Sequence, residues 1–177
     1  MMLYLKILTM VGAILMLSGC ATKNLDNYAK QQPKLLIEEY FKGPVKAWGL
    51  VQDRSGKVTR RFEVTMNGTW NGNEGRLEEL FVYDDGERQE RIWLITKLAD
   101  GTYEGTAGDI IGKAKGKASG NAVQWYYVMD LKVGDKNYHV TFDDWMFLMD
   151  EKNLINRSYL KKFGITMAEL TIFMQKP

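Results

Sequence analysis

From Val45 onward the chain alternates between apolar and polar positions. In "VTRRFEVTM" the residues Phe62, Val64 and Met66 fall on one side, with Arg61, Glu63 and Thr65 on the other. In "AVQWYYVMDLKV" the residues Val123, Trp125, Tyr127, Met129, Leu131 and Val133 form one uninterrupted apolar face. A period of two is the signature of a strand with one face buried. The runs are separated by "RSGK", "NGN", "DDGE", "ADGT", "ASGN", "VGDK" and "DEKN", whose Gly, Asn and Asp residues suit tight turns. Strands joined by such short turns pair antiparallel, and no helical crossover lies between them. The pattern predicts a meander of roughly eight to ten strands, which must curl or stack to bury its apolar face. Closure into a barrel also removes exposed edges. The expected fold is therefore all-β, an up-and-down lipocalin-like β-barrel in preference to a two-sheet sandwich.

Ahead of the strands, "PKLLIEEYF" opens on Pro33 and sets Leu36, Ile37 and Tyr40 on one side, which predicts one short helix. "DIIGKAKGKASG" imitates a phosphate-binding loop but misses its spacing, and Ala follows each lysine where Ser or Thr is required. As a strand it directs Lys113, Lys115 and Lys117 one way, and Gly112, Ala114, Gly116 and Ala118 the other. The lysine row reads as a solvated face that discourages edge pairing, or as a contact for anionic lipid headgroups.

The N-terminal stretch reads differently. Lys6 precedes an apolar run from Ile7 to Leu17, too short to span a bilayer as a helix and of signal-peptide length. It ends in Leu17-Ser18-Gly19-Cys20, which resembles a bacterial lipobox, and Cys20 is the only cysteine. The expected organisation is a lipoprotein signal peptide over residues 1–19, a lipidated Cys20 and polar tether over 20–32, and one barrel domain over 33–177. Acyl chains on Cys20 would attach the protein to a membrane. Ala21 after the cysteine implies sorting to the outer membrane, with the domain on the periplasmic face. No internal disulfide is available to the fold. Loss of the leader removes only Lys6 from 24 basic residues set against 22 acidic ones, so the mature chain is close to neutral. That balance argues against a nucleic-acid partner.

Four stretches, "AWGLVQDRSGKVTRRFEV", "YDDGERQERIW", "GNAVQWYY" and "FDDWMFLMDEKNLINRSYLKKFG", together resemble an uncharacterised family of Gram-negative lipoproteins, domain of unknown function 3833. The resemblance covers essentially the whole mature domain. It implies the lipoprotein location and leans toward a lipid role, but carries no catalytic residue with it.

The chemistry centres on "HVTFDDWMFLMD", where two carboxylates interrupt an apolar strand. Buried charges require partners. Alternation puts Asp144 inside with Phe142 and Met146, and Asp143 outside with His139 and Trp145. The same reasoning turns Arg60 inward beside Phe62 and Val64, and Arg157 inward with Ile155 and Tyr159. Two readings stand for this polar end of Arg60, Asp144 and Arg157. Either it is an internal bridge that fixes register, with Asp144 titrating below its usual range, or an arginine grips an anionic headgroup or fatty-acid carboxylate. In the second case Phe62, Val64, Trp125, Tyr127, Met129, Phe142 and Met146 line the space for an acyl chain. Trp145, facing out, would mark a partner or membrane-interface contact.

An enzymatic reading through His139, Asp143 and Asp144 is weaker. The one histidine lies on the presumed outer face, and Cys20 is committed to lipid. Adjacent strand carboxylates face opposite ways and cannot flank one bond. No nucleophile elbow, cofactor motif or metal-ligand set is legible, and the dispersed methionines read as core filler. The expectation is a non-catalytic lipoprotein that binds or shuttles a hydrophobic ligand. The alternative is an envelope protein that acts through its surface.

Overall fold

A computed structural model describes residues 23–177. Ten antiparallel strands close into a single barrel: β1 (Gly43–Asp53), β2 (Val58–Asn71), β3 (Glu74–Tyr83), β4 (Arg88–Lys97), β5 (Tyr103–Thr106), β6 (Ile110–Ser119), β7 (Ala122–Val133), β8 (Lys136–Leu148), β9 (Asn153–Lys162) and β10 (Ile165–Gln175). Each strand pairs with its neighbours in sequence, and β1 pairs with β10 from Lys46↔Gln175 to Asp53↔Ala168 to complete the circle. The expected up-and-down barrel is the observed fold. All seven anticipated turns are present. Two more were not anticipated: the loop after β5, where Gly108-Asp109 is a short turn signal, and the turn between β9 and β10, where Gly164 stands alone after Phe163.

The interior follows the period of two. Phe62, Val64 and Met66 on β2 and Trp125, Tyr127 and Met129 on β7 are buried against Val140, Phe142 and Leu160. On β6, Ala114 and Gly116 turn inward while Lys113, Lys115 and Lys117 are exposed, as expected; Gly112, also expected inward, is exposed where the register shifts between Ile111 and Lys115. Glycine at 116 has a specific reason: a Cβ there would stand 2.9 Å from the Trp125 ring, which occupies the vacated space.

The two ends of the barrel differ. At the end holding the β2–β3, β4–β5, β6–β7 and β8–β9 turns, the N-terminal segment crosses the opening. Leu35, Ile37, Tyr40 and Phe41 are buried there. Leu35 N–H donates to the Gly120 carbonyl at 2.9 Å, and Tyr40 Oη to the Lys152 carbonyl at 3.1 Å. Glu38 pairs with Lys97 and accepts from Tyr103 Oη at 2.7 Å. The helix in this segment, α1 (Ile37–Tyr40), is shorter than "PKLLIEEYF" predicts. Leu36 at its N-cap is extended (φ −111°), because the preceding backbone hydrogen-bonds to the barrel instead of continuing a helix. The other end is open.

The tether expectation needs correction. Residues 20–22, Cys20 among them, and the leader lie outside the described residues. Residues 25–28 do not hang free: they form a 3₁₀ turn capped by Asn24. Leu25 packs on the outer wall against Ala122 and Trp145, with Tyr28 beside them. A polar stretch thus docks through two apolar residues too widely spaced to show a period.

Candidate functional site

The closed end, the open end and the side-chain sizes between them leave a cavity of about 970 Å³ inside the barrel. That lies near the top of the range for ligand pockets, about 300–1,000 Å³. Phe62, Val64, Trp125, Tyr127, Met129, Phe142 and Met146 all line it, as the alternation predicts. Phe41 and Ile37 form its floor, and Val51, Tyr83, Leu131 and Leu170 lie toward its mouth.

Asp144 also faces the cavity, but no arginine meets it. Its carboxylate accepts from Ser158 Oγ at 2.6 Å and from Asn156 Nδ2, both on β9. Burial pushes the Asp144 carboxyl up, against these two hydrogen bonds, and the charge of Asp143 adds to the rise. The expected lowering by an arginine bridge is overturned.

The cause is the facing of β9. Leu154, Asn156, Ser158 and Leu160 point inward, while Ile155, Arg157 and Tyr159 point out. Bulk suggested the reverse. The register Asp144↔Ser158 decides it, since an inward carboxylate needs inward donors on the strand beside it. Arg157 is therefore a surface residue, 51% exposed, paired with Glu169 on β10. Arg60 does line the cavity, at its rim. Its guanidinium lies 3.6 Å from the Tyr83 ring and pairs with Glu87 at 2.8 Å and Asp85 at 3.5 Å. Of the three residues proposed for one polar end, none touches another.

The other half of the aspartate pair is also satisfied. Asp143 faces outward and accepts from Gln124 Nε2 at 2.7 Å, Trp145 Nε1 at 2.8 Å and Lys161 Nζ at 2.6 Å. Burial works to raise its pKa, but Lys161, Gln124 and Trp145 outweigh it and hold the carboxyl below the usual range. Trp145 is on the outer face as expected yet only 2% exposed, because the protein's own Leu25 and Tyr28 cover it. That removes it as a contact for a membrane or partner. His139 is 71% exposed on the outer surface.

The interior polar group that does assemble lies on β3, β4 and the β5–β6 loop. Arg91 reaches across to Asp109 with a bidentate pair of bonds, Nε donating to Oδ1 at 3.1 Å and Nη2 to Oδ2 at 2.7 Å. Glu79 stands 3.7 Å from Arg91 Nη1. Burial pushes the Glu79 carboxyl up to about 7, while Arg91 and Trp93 pull it down and the charges of Asp109 and Asp144 raise it further. Its 11% residual exposure is toward the cavity, which it lines. The band thus holds three carboxyl groups, Glu79, Asp109 and Asp144, against one guanidinium, Arg91. It is an acidic band, relieved by partial protonation.

The sequence did carry a signal for part of this. Period two in "EGRLEELFVY" aligns Glu79 with Leu77 and Phe81, and in "RQERIWLITK" it aligns Arg91 with Trp93 and Ile95. Ile92 and Leu94 on the opposite face of β4 are exposed, which blurs the facing of that strand. Asp109, in a loop, gives no periodic signal.

A closed antiparallel barrel, plugged at one end, with a largely apolar cavity crossed by a polar band, has the form of a ligand-binding barrel. The chain belongs to the family described as protein of unknown function DUF3833, whose model matches residues 14–176. A comparison with curated proteins finds no match.

Proposed function

We propose that this protein binds or shuttles a hydrophobic, acyl-chain ligand inside the barrel without performing a catalytic step. The 970 Å³ cavity, apolar along Phe62, Val64, Phe142 and Met146, is the observation that carries the reading. The leader and the lipobox around Cys20 support attachment to the outer membrane through an acylated cysteine. The polar band adds a constraint on the ligand's head. With Arg91 and Asp109 engaged with each other, the carboxyl groups of Glu79 and Asp144 face any incoming polar atom. A fatty-acid carboxylate would be repelled, whereas a head that donates hydrogen bonds, such as a hydroxyl, amide or amine, would find acceptors. This replaces the arginine grip expected from alternation alone. In favour of a non-catalytic role, Asp143 and Asp144 face opposite sides of the wall and His139 is remote from the cavity.

The test is extraction of the purified full-length protein with organic solvent and mass spectrometry of the extract. Near-stoichiometric lipid with a neutral or amine-bearing head is expected. Leu170→Trp, which directs a ring into the cavity near its mouth, should reduce the lipid recovered from a protein that remains folded. A clean extract from the wild type, or recovery unchanged by Leu170→Trp, would overturn the reading and favour a protein that acts through its surface.

A further inference from the structure

The open rim is not uniform. Around it the β1–β2, β9–β10 and β7–β8 turns are consecutive, followed by the β5–β6 loop and the β3–β4 turn. At the tip of the β9–β10 turn, Phe163 is 92% exposed with φ 52°, followed by Gly164 at φ 78°. A bulky residue in the left-handed region is unfavourable, and Asn, Asp or Gly would serve the turn better. The turn alone therefore gives no reason for a phenyl ring at that tip. Ile165, Met167, Val133 and Val58 extend the apolar surface along the same arc, all exposed.

The charges on this arc are equally one-sided. Arg54, Lys57, Lys132 and Lys136 are exposed and Lys162 is half-buried. Among the described residues none of the five is in an ion pair. Of the acids here, Asp53 is turned onto the backbone N–H groups of Ser55 and Lys57, which leaves Asp135 as the exposed counter-charge. The opposite arc carries Asp84, Asp85 and Glu87, engaged by Arg60 and Arg61.

The path of the chain supplies a second, independent observation. From Tyr28 against Phe147, through Leu25 against Trp145, to Lys23 over the Tyr159 ring, the N-terminal segment climbs the outer wall of β8 and β9 toward the open end. Tyr159 lies three residues from Lys162 on β9, a rise of about 10 Å. Three residues from Lys23 to Cys20 reach about the same distance when extended. An anchor at Cys20 is thus within reach of the rim on the side where Phe163 stands.

We propose that the open mouth of the barrel docks on an anionic lipid surface, with the Phe163 tip entering the interface and the flanking lysines meeting headgroup phosphates. An aromatic and aliphatic tip ringed by unpaired cations suits that surface. The proposal concerns the outside of the rim and does not depend on what the cavity holds.

Photo-crosslinking tests it with the full chain. The wild-type protein is placed in phosphatidylethanolamine vesicles containing phosphatidylglycerol that carries a photoreactive headgroup, and crosslinked peptides are mapped by mass spectrometry. Crosslinks are expected to fall several-fold more often on the peptide containing Phe163 than on the Asn71–Asn73 turn at the closed end. Phe163→Asp with Lys162→Glu should reduce them several-fold while the far-ultraviolet circular dichroism is unchanged. Crosslinks spread evenly over both ends, or insensitive to the double variant, would overturn the proposal. So would a rim captured in cells by a protein while lipid crosslinks are absent. Crosslinks confined to cavity residues such as Phe62 or Tyr127 would also overturn it, and would separately support a lipid inside.

Discussion

Glu79→Gln isolates the electrostatics of the polar band. In the folded protein the Glu79 carboxyl titrates at about 7, raised chiefly by burial, against 4.5 when the chain is open. A folded value above the unfolded one means that the native state holds the proton more tightly. The contribution to stability is therefore fully present below the unfolded value and is lost as pH rises through about 7. The separation corresponds to about 3 kcal/mol between about pH 4 and pH 8. Glutamine removes the titration but keeps the size and an acceptor. Asp143 and Glu38, lowered in the opposite direction, titrate in both proteins and cancel in the comparison. Asp144, raised in the same direction, titrates in both and is coupled to Glu79 only as the weakest of the influences on it. Urea unfolding of delipidated protein, followed by tryptophan fluorescence across that range, supplies the two profiles. The wild type should lose about 3 kcal/mol more than the variant on going from acid to alkaline conditions. Profiles that stay parallel would refute the placement of Glu79 in a water-poor interior.

The remaining predictions concern partners and packing. Arg91→Met leaves Glu79 and Asp109 without their guanidinium inside the barrel, and chemical denaturation should show a loss on the order of 3–5 kcal/mol. Arg157→Ala removes a pair that lies in solvent, so the same assay should show less than about 1 kcal/mol; a loss matching that of Arg91→Met would mean that β9 faces the other way. Gly68→Ala would set a Cβ 1.6 Å from the Phe41 carbonyl oxygen. It should cost about 1–3 kcal/mol and speed amide hydrogen exchange in residues 35–41, as the plug is forced off its seat.

Local pattern carried the architecture. Alternation in β2, β7 and β8 and the turn residues between strands are properties of neighbouring positions, so the antiparallel meander, the inward set from Phe62 to Met146 and the outward lysines of β6 were legible without coordinates. The need to bury a continuous apolar face then required the sheet to curl or stack, and the pairing of β1 with β10 is how it does so. The β9–β10 turn was not legible for a reason of the same kind: Phe163-Gly164 puts a large apolar ring where turn chemistry expects a polar residue.

What no local pattern held was the relation between strands distant in the chain. The facing of β9 turned on Asp144 needing Ser158 and Asn156 beside it, a cross-strand match that outweighed the bulk of Ile155 and Tyr159. Arg91 found Asp109 rather than Asp144, and Trp145 was covered by Leu25, only once closure had fixed which residues face each other. Alternation tells each residue which side of the wall it occupies. The energy of a charge on that side depends on partners brought within a few ångströms by register and closure, and those only the tertiary structure decided.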